Sequence, residues 1–114
     1  MKTNKELKDE YELLKPKIGV FQILNLANGK VFIDSSTNLD KIWNRHRVEL
    51  KFGNHRNERM QKDWNEFGED NFLFEILSEI KQEENQKTDY AKEAKQLAKM
   101  YIDEAQPFGE KGYN

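Results

Sequence analysis

The chain has 114 residues with a formal net charge of −2 and 35% charged side chains. That is enough for one compact domain with a modest core, and the global charge gives no argument for a polyanionic partner. It has no cysteine, which excludes disulfides and thiolate-held metals. The polar opening MKTNKELKDE is unlike a signal peptide and no apolar run reaches membrane-spanning length, so a soluble, cytoplasmic protein without a membrane partner is expected.

Thr3 and Glu6 have capping-box spacing, and Leu7, Tyr11 and Leu14 fall on one helical stripe. This predicts a short helix ending near Pro16, in an extension over residues 1–16 that precedes a domain over residues 17–114. Ile18 to Asn25 and Lys30 to Asp34 are rich in β-branched and aromatic residues, with Asn28-Gly29 between them, predicting a hairpin. Thr37 or Asn38 can cap the next helix, whose Leu39, Ile42, Trp43, His46 and Leu50 share a broad face before Gly53. A second helix is predicted from about Arg56 to Phe67, with Met60 and Trp64 inward and a stop at Gly68. Phe72, Phe74 and Ile76 alternate within a third strand over Asn71 to Ile80. After a polar connection over Glu83 to Lys87, Thr88 is placed to cap a last helix through about Glu104. Ala91, Ala94, Leu97, Ala98, Tyr101 and Ile102 form its buried side, and Pro107 forbids continuation. The tail is expected to end loosely at Asn114. The sum is α+β: a small, mainly antiparallel three-stranded sheet flanked by helices, with an extra N-terminal helix.

Charge is unevenly distributed. Lys41 to Lys62 holds seven cations (Lys41, Arg45, Arg47, Lys51, Arg56, Arg59, Lys62) against Glu49 and Glu58, a net of +5. Glu66 to Glu110 holds twelve acids against five lysines, a net of −7. One basic face and one acidic face follow. The basic run can track a phosphate backbone or be an ordinary solvated face.

The stretches GVF, VFID, DKIWNRH, GNH and the closing GYN, in that order and spacing, resemble the GIY-YIG nuclease family, as a degenerate relative of its homing-endonuclease domains. The resemblance covers about residues 17–114 and weakens after Ile80. It implies two motif tyrosines converging on the scissile phosphate, an arginine and a histidine one turn apart on the next helix, a glutamate holding one divalent metal, and a bracing C-terminal asparagine. The tyrosine positions fall on Phe21 and Phe32, the motif's final glycine on Asp34, and the arginine on Ile42. His46 and Asn114 match the family residues, and His55 matches a histidine found in some members. The metal-binding glutamate, placed from the aromatic of MYID, falls on Ala98, and Glu93 is the nearest acid upstream.

A phenyl ring has no hydroxyl to move a proton, and losing a positioned proton-transfer group costs ~10²–10⁴ in rate. With base, cation and metal ligand missing together, the resemblance implies a domain retained for its shape rather than for cutting, with no metal or cofactor. Two function classes remain. One is DNA binding through the seven-cation surface, as a regulator or a competitor of a related nuclease, and it is narrowly preferred. The other is a protein-binding inhibitor or accessory subunit, of phage origin and aimed at a host nuclease or defence system. A nuclease rebuilt around Asp34, His46 and His55 is a third reading. Against it, His46 is expected to be a satisfied, partly buried histidine and His55 a loop residue, with Trp43 and Trp64 in the core.

Overall fold

The computed structural model describes residues 3–6, 15–83 and 88–114. The capping box forms reciprocally: the Glu6 N–H donates to Thr3 Oγ1 at 3.1 Å and the Thr3 N–H to Glu6 Oε2 at 3.3 Å. It opens the N-terminal helix at residues 4–6. The expected stripe of Leu7, Tyr11 and Leu14 lies outside the described residues, as do residues 84–87 of the polar connection.

The sheet contains β1 (Gly19–Asn25), β2 (Val31–Ser36) and β3 (Phe72–Glu79) in the order β2-β1-β3, all antiparallel. The helices are α1 (Leu39–Lys51), α2 (Glu58–Phe67) and α3 (Tyr90–Ala105). Strand alternation divides the core in two. On one face Phe21 and Ile23 join Leu39 and Leu50 of α1, Met60 and Trp64 of α2, Phe72 and Tyr113. On the other, Val20 and Ile33 pack against Ala98, Leu97, Tyr101 and Ile102 of α3. Trp64 is buried, and Trp43 packs against the first cluster, stacked on Phe74 at 5.7 Å.

Several local details differ from the sequence expectation. The hairpin loop is longer than a two-residue turn: Gly29 alone in it has positive φ, at 76°, and its N–H closes back on Asn25 O. The side chain of Asn28 instead accepts from the Lys30 N–H at 3.0 Å. Asp89 rather than Thr88 caps α3, by accepting from the Lys92 N–H, whereas α1 is capped by Asn38, one of the two residues expected there. In β3 the register shifts opposite Val20 and Phe21. Ile76 beside the shift is 45% exposed, and Leu77, on the opposite side of the strand, packs on the α3 face. Gly19 sits at this irregularity, where a Cβ would come within 2.0 Å of Ser78 O.

The tail is not loose. Gly112 bridges to Val31 in parallel, and the Tyr113 N–H donates to Val31 O at 2.9 Å. Asn114 clamps the backbone of Ile33, accepting from its N–H at 2.9 Å and donating to its carbonyl at 2.8 Å. Buried Tyr113 donates its hydroxyl to Asp63 at 2.6 Å and accepts from Asn25 Nδ2 at 3.0 Å. These bonds occupy much of the outer edge of β2, which would otherwise present unpaired backbone groups.

Candidate functional site

Phe21, at the centre of β1, is fully buried. Its ring lies 6.4 Å from Phe32, 5.6 Å from His46 and 5.4 Å from Phe74. Asp34 faces Phe21 across the strand pair but is exposed, and it accepts from the Ser35 N–H at 2.8 Å.

Under the two phenylalanines lies a pair of histidines. His46 comes from the buried side of α1 and His55 from the loop before α2, and both are buried. His46 Nδ1 and His55 Nε2 are 2.7 Å apart. The Asn57 N–H donates to His55 Nδ1 at 3.0 Å, so neutral His55 carries its proton on Nε2 and donates to His46 Nδ1. That leaves the proton of His46 on Nε2, an assignment fixed by the hydrogen-bond network. Burial chiefly, and the adjacent His55 next, hold His46 down to about 4. Burial likewise lowers His55, against the raising influence of Glu49, whose carboxylate lies 3.9 Å from its Nε2. Both rings are therefore neutral at pH 7. Around them Phe32, Arg56 and Asn57 complete a shallow pocket of about 280 Å³, to which the Arg56 guanidinium and the Nε2–H of His46 bring N–H donors.

A second depression, of about 250 Å³, runs between the end of β2, α1 and α3. Ser35, Ser36, Thr37, Ile42, Arg45, Ala91, Ala94 and Lys95 line it. Its floor is aliphatic, its rim has three hydroxyls and two cations, and it has no carboxylate. Ala98 lies one turn beyond, buried against Val20 and Ile33. The lining of the groove has no carboxylate to hold the divalent metal that the resemblance implies. Among the described residues no three His, Asp or Glu side chains converge as a metal site, and α3 turns alanine and lysine toward the groove.

No family model matches the chain. Two solved structures of the catalytic domain of the homing (intron) endonuclease I-TevI, one of them a mutant, resemble it with TM-scores of 0.70 and 0.68. Each is 31% identical to this chain and covers 86% of it, matching 97% and 92% of those domains. The chain belongs to the GIY-YIG homing-endonuclease family. Intron-associated endonuclease 1 of Enterobacteria phage T4 is 36% identical over 69 residues, 60% of this chain and 28% of that protein. The chain thus matches little more than a quarter of that longer relative.

Within this GIY-YIG domain the residues singled out in the sequence fall into separate places. Phe21, Phe32, His46 and His55 meet in one cluster, with Ile42 packed at its side. Asp34 stands at the exposed edge, Asn114 braces β2 from outside, and Ala98 serves the opposite face of the sheet. The seven cations are also divided. Arg47 and Lys51 share Glu69, each at 3.5 Å. Arg45 pairs with Glu49 at 3.2 Å within its own helix, and Arg59 donates to Gly109 O. Lys41, Arg56 and Lys62 are exposed and make no ion pair among the described residues. Lys95 and the hydroxyls of Ser35, Ser36 and Thr37 were not foreseen. Lys95 was legible only as one more solvated lysine, because its approach to Arg45 depends on how α3 crosses β2. No described helix is long and apolar enough to cross a membrane.

Proposed function

We propose that this GIY-YIG domain binds DNA without cleaving it, as a regulator or competitor at sites used by related nucleases. The observation that carries the reading is the hydroxyl-free Phe21–Phe32–His46–His55 cluster beside a groove floored by Ile42, Ala91 and Ala94. If the two phenylalanines occupy the family's tyrosine positions and Ile42 its arginine position, the cluster supplies packing where the chemistry needs a base and a cation. No carboxylate of α3 reaches that groove, so the route of lowering a bound water's pKa with a metal lacks a ligand.

Binding is supported by the arrangement of cations. Lys41, Arg45, Arg56 and Lys62 are exposed along α1, the His55 loop and α2, and Lys95 adds a charge from α3. Phosphate contacts of this kind give sequence-independent affinity that falls steeply with salt. The test is anisotropy of labelled duplex DNA in chelator at low and moderate salt, paired with a nicking assay in magnesium or manganese. Salt-sensitive binding without nicking is the expected result. Metal-dependent nicking that disappears in His46→Ala refutes the reading.

A protein-binding role, as an inhibitor or accessory subunit, is the second reading. It draws on the acidic C-terminal half, where Met100 is 66% and Phe108 45% exposed. Undiminished DNA binding after charge reversal at Lys41, Arg45, Arg56 and Lys62, or no binding at all, would turn the account toward it.

A further inference from the structure

Among the described residues the most exposed aromatic is Phe52, at 78%, and the preceding turn of the same helix exposes Val48 at 41%. Phe52 is the C-cap of α1, with φ −84° and ψ −4°, so it continues the helical path. Lys41, Arg45, Val48 and Phe52 are spaced i, i+4, i+7 and i+11, which places them within a narrow sector of the helix. The buried residues Leu39, His46 and Leu50 occupy another side. The solvent-facing ridge of α1 therefore reads cation, cation, aliphatic, aromatic, and Arg56 follows the aromatic by four residues. Neither core cluster includes Val48 or Phe52.

A ridge built only to track phosphates has no use for an apolar end, and a protein partner matched to it would have to combine dense negative charge with an apolar slot. Nucleic acid combines regular negative charge with flat apolar base faces. In an intact duplex those faces are hidden by stacking, so an aromatic gains them only where a base is unpaired or a step is opened. We propose that Phe52 stacks on an unstacked base while Lys41, Arg45 and Arg56 hold the flanking phosphates, making the preferred ligand duplex DNA with an unpaired base. This rests on the DNA-binding reading above and specifies its ligand.

The experiment compares three labelled probes: an intact duplex, the same duplex with a two-nucleotide bulge, and that bulge with both bases removed. The full 114-residue chain and Phe52→Ala are titrated by anisotropy, and 2-aminopurine placed in the bulge reports stacking. At 78% exposure Phe52 can be truncated without emptying core volume. Expected is a preference of about tenfold or more for the bulge over both other probes, with quenching of the 2-aminopurine on binding. Phe52→Ala should lose the preference and the quenching while keeping salt-dependent affinity for intact duplex. Equal affinity of the wild-type chain for all three probes, or a preference that survives Phe52→Ala, overturns the stacking role and leaves DNA binding standing. No binding to any probe overturns both. A wild-type dimer that Phe52→Ala dissolves, seen by sedimentation, also overturns it, because the ridge would then be a self-interface.

Discussion

The buried histidine pair makes folding stability depend on pH in a way that can be worked out in advance. In the unfolded chain a histidine titrates near the ordinary 6.5, whereas folded His46 is held to about 4. The native state thus refuses a proton that the unfolded chain accepts. The stability is fully present above pH 6.5, is lost as pH falls from 6.5 toward 4, and levels off below that. At pH 5 the unfolded chain is favoured about twentyfold relative to pH 7, or ~2 kcal/mol from His46 alone. His55 is lowered as well and acts in the same direction. For a domain of this size, ~2 kcal/mol corresponds to a Tm about 8 °C lower. Urea unfolding at pH 7 and pH 5, followed by tryptophan fluorescence, measures the difference. His46→Gln, which does not titrate, provides the control and should remove most of that pH difference. The reasoning fails if NMR shows the His46 imidazole protonating near 6.5 in the folded protein, or if the His46→Gln variant loses as much stability on acidification as the parent.

Other substitutions probe the scaffold and the surface. Gly19→Ala forces a Cβ into Ser78 O and should destabilise by ~3 kcal/mol or more; a Tm within two or three degrees of wild type would contradict the packing. Tyr113→Phe strips partners from Asp63 and Asn25 and should cost ~1–3 kcal/mol in denaturant melts. The Tyr113 phenol, pushed up to about 12 by burial and by its bond to Asp63, should stay protonated in ultraviolet titrations through pH 11. Replacing Lys41, Arg56 or Lys62 singly by Gln should each reduce the salt slope of DNA binding by about 1. The same change at Arg47 or Lys51, which share Glu69, should have less effect.

What was legible in the sequence came from periodicity and capping chemistry. The stripe Leu39, Ile42, His46 and Leu50 located α1, and the alternation around Gly19–Asn25 and Val31–Ser36 located the hairpin. The neighbouring Thr88 and Asp89 can each cap a helix, so the one-residue error there was beyond sequence logic. The departures come from long-range geometry. The contact of His46 with His55 joins residues nine apart across a loop, and no local rule brings two rings to hydrogen-bonding distance. The shift opposite Val20 and Phe21 leaves Leu77 without a partner on β1 and puts Ser78 opposite Val20, an interruption that the alternation of Phe72, Phe74 and Ile76 did not announce. The tail was expected to be loose because its few residues have no periodicity. The free edge of β2, recognisable only once the sheet is assembled, gives Asn114 and Tyr113 their partners. On α3 the alanines at 91, 94 and 98 were a single small-residue side. The sheet divides them between the groove and the core.

One protein preparation tests the central claim most directly: the same chain titrated against supercoiled plasmid, with retention of the plasmid scored in chelator and nicking scored in magnesium and in manganese. Binding that weakens steeply between low and moderate salt, with the plasmid still supercoiled in both metals, is the predicted result. Metal-dependent nicking lost in His46→Ala, or no retention even at low salt, would contradict it.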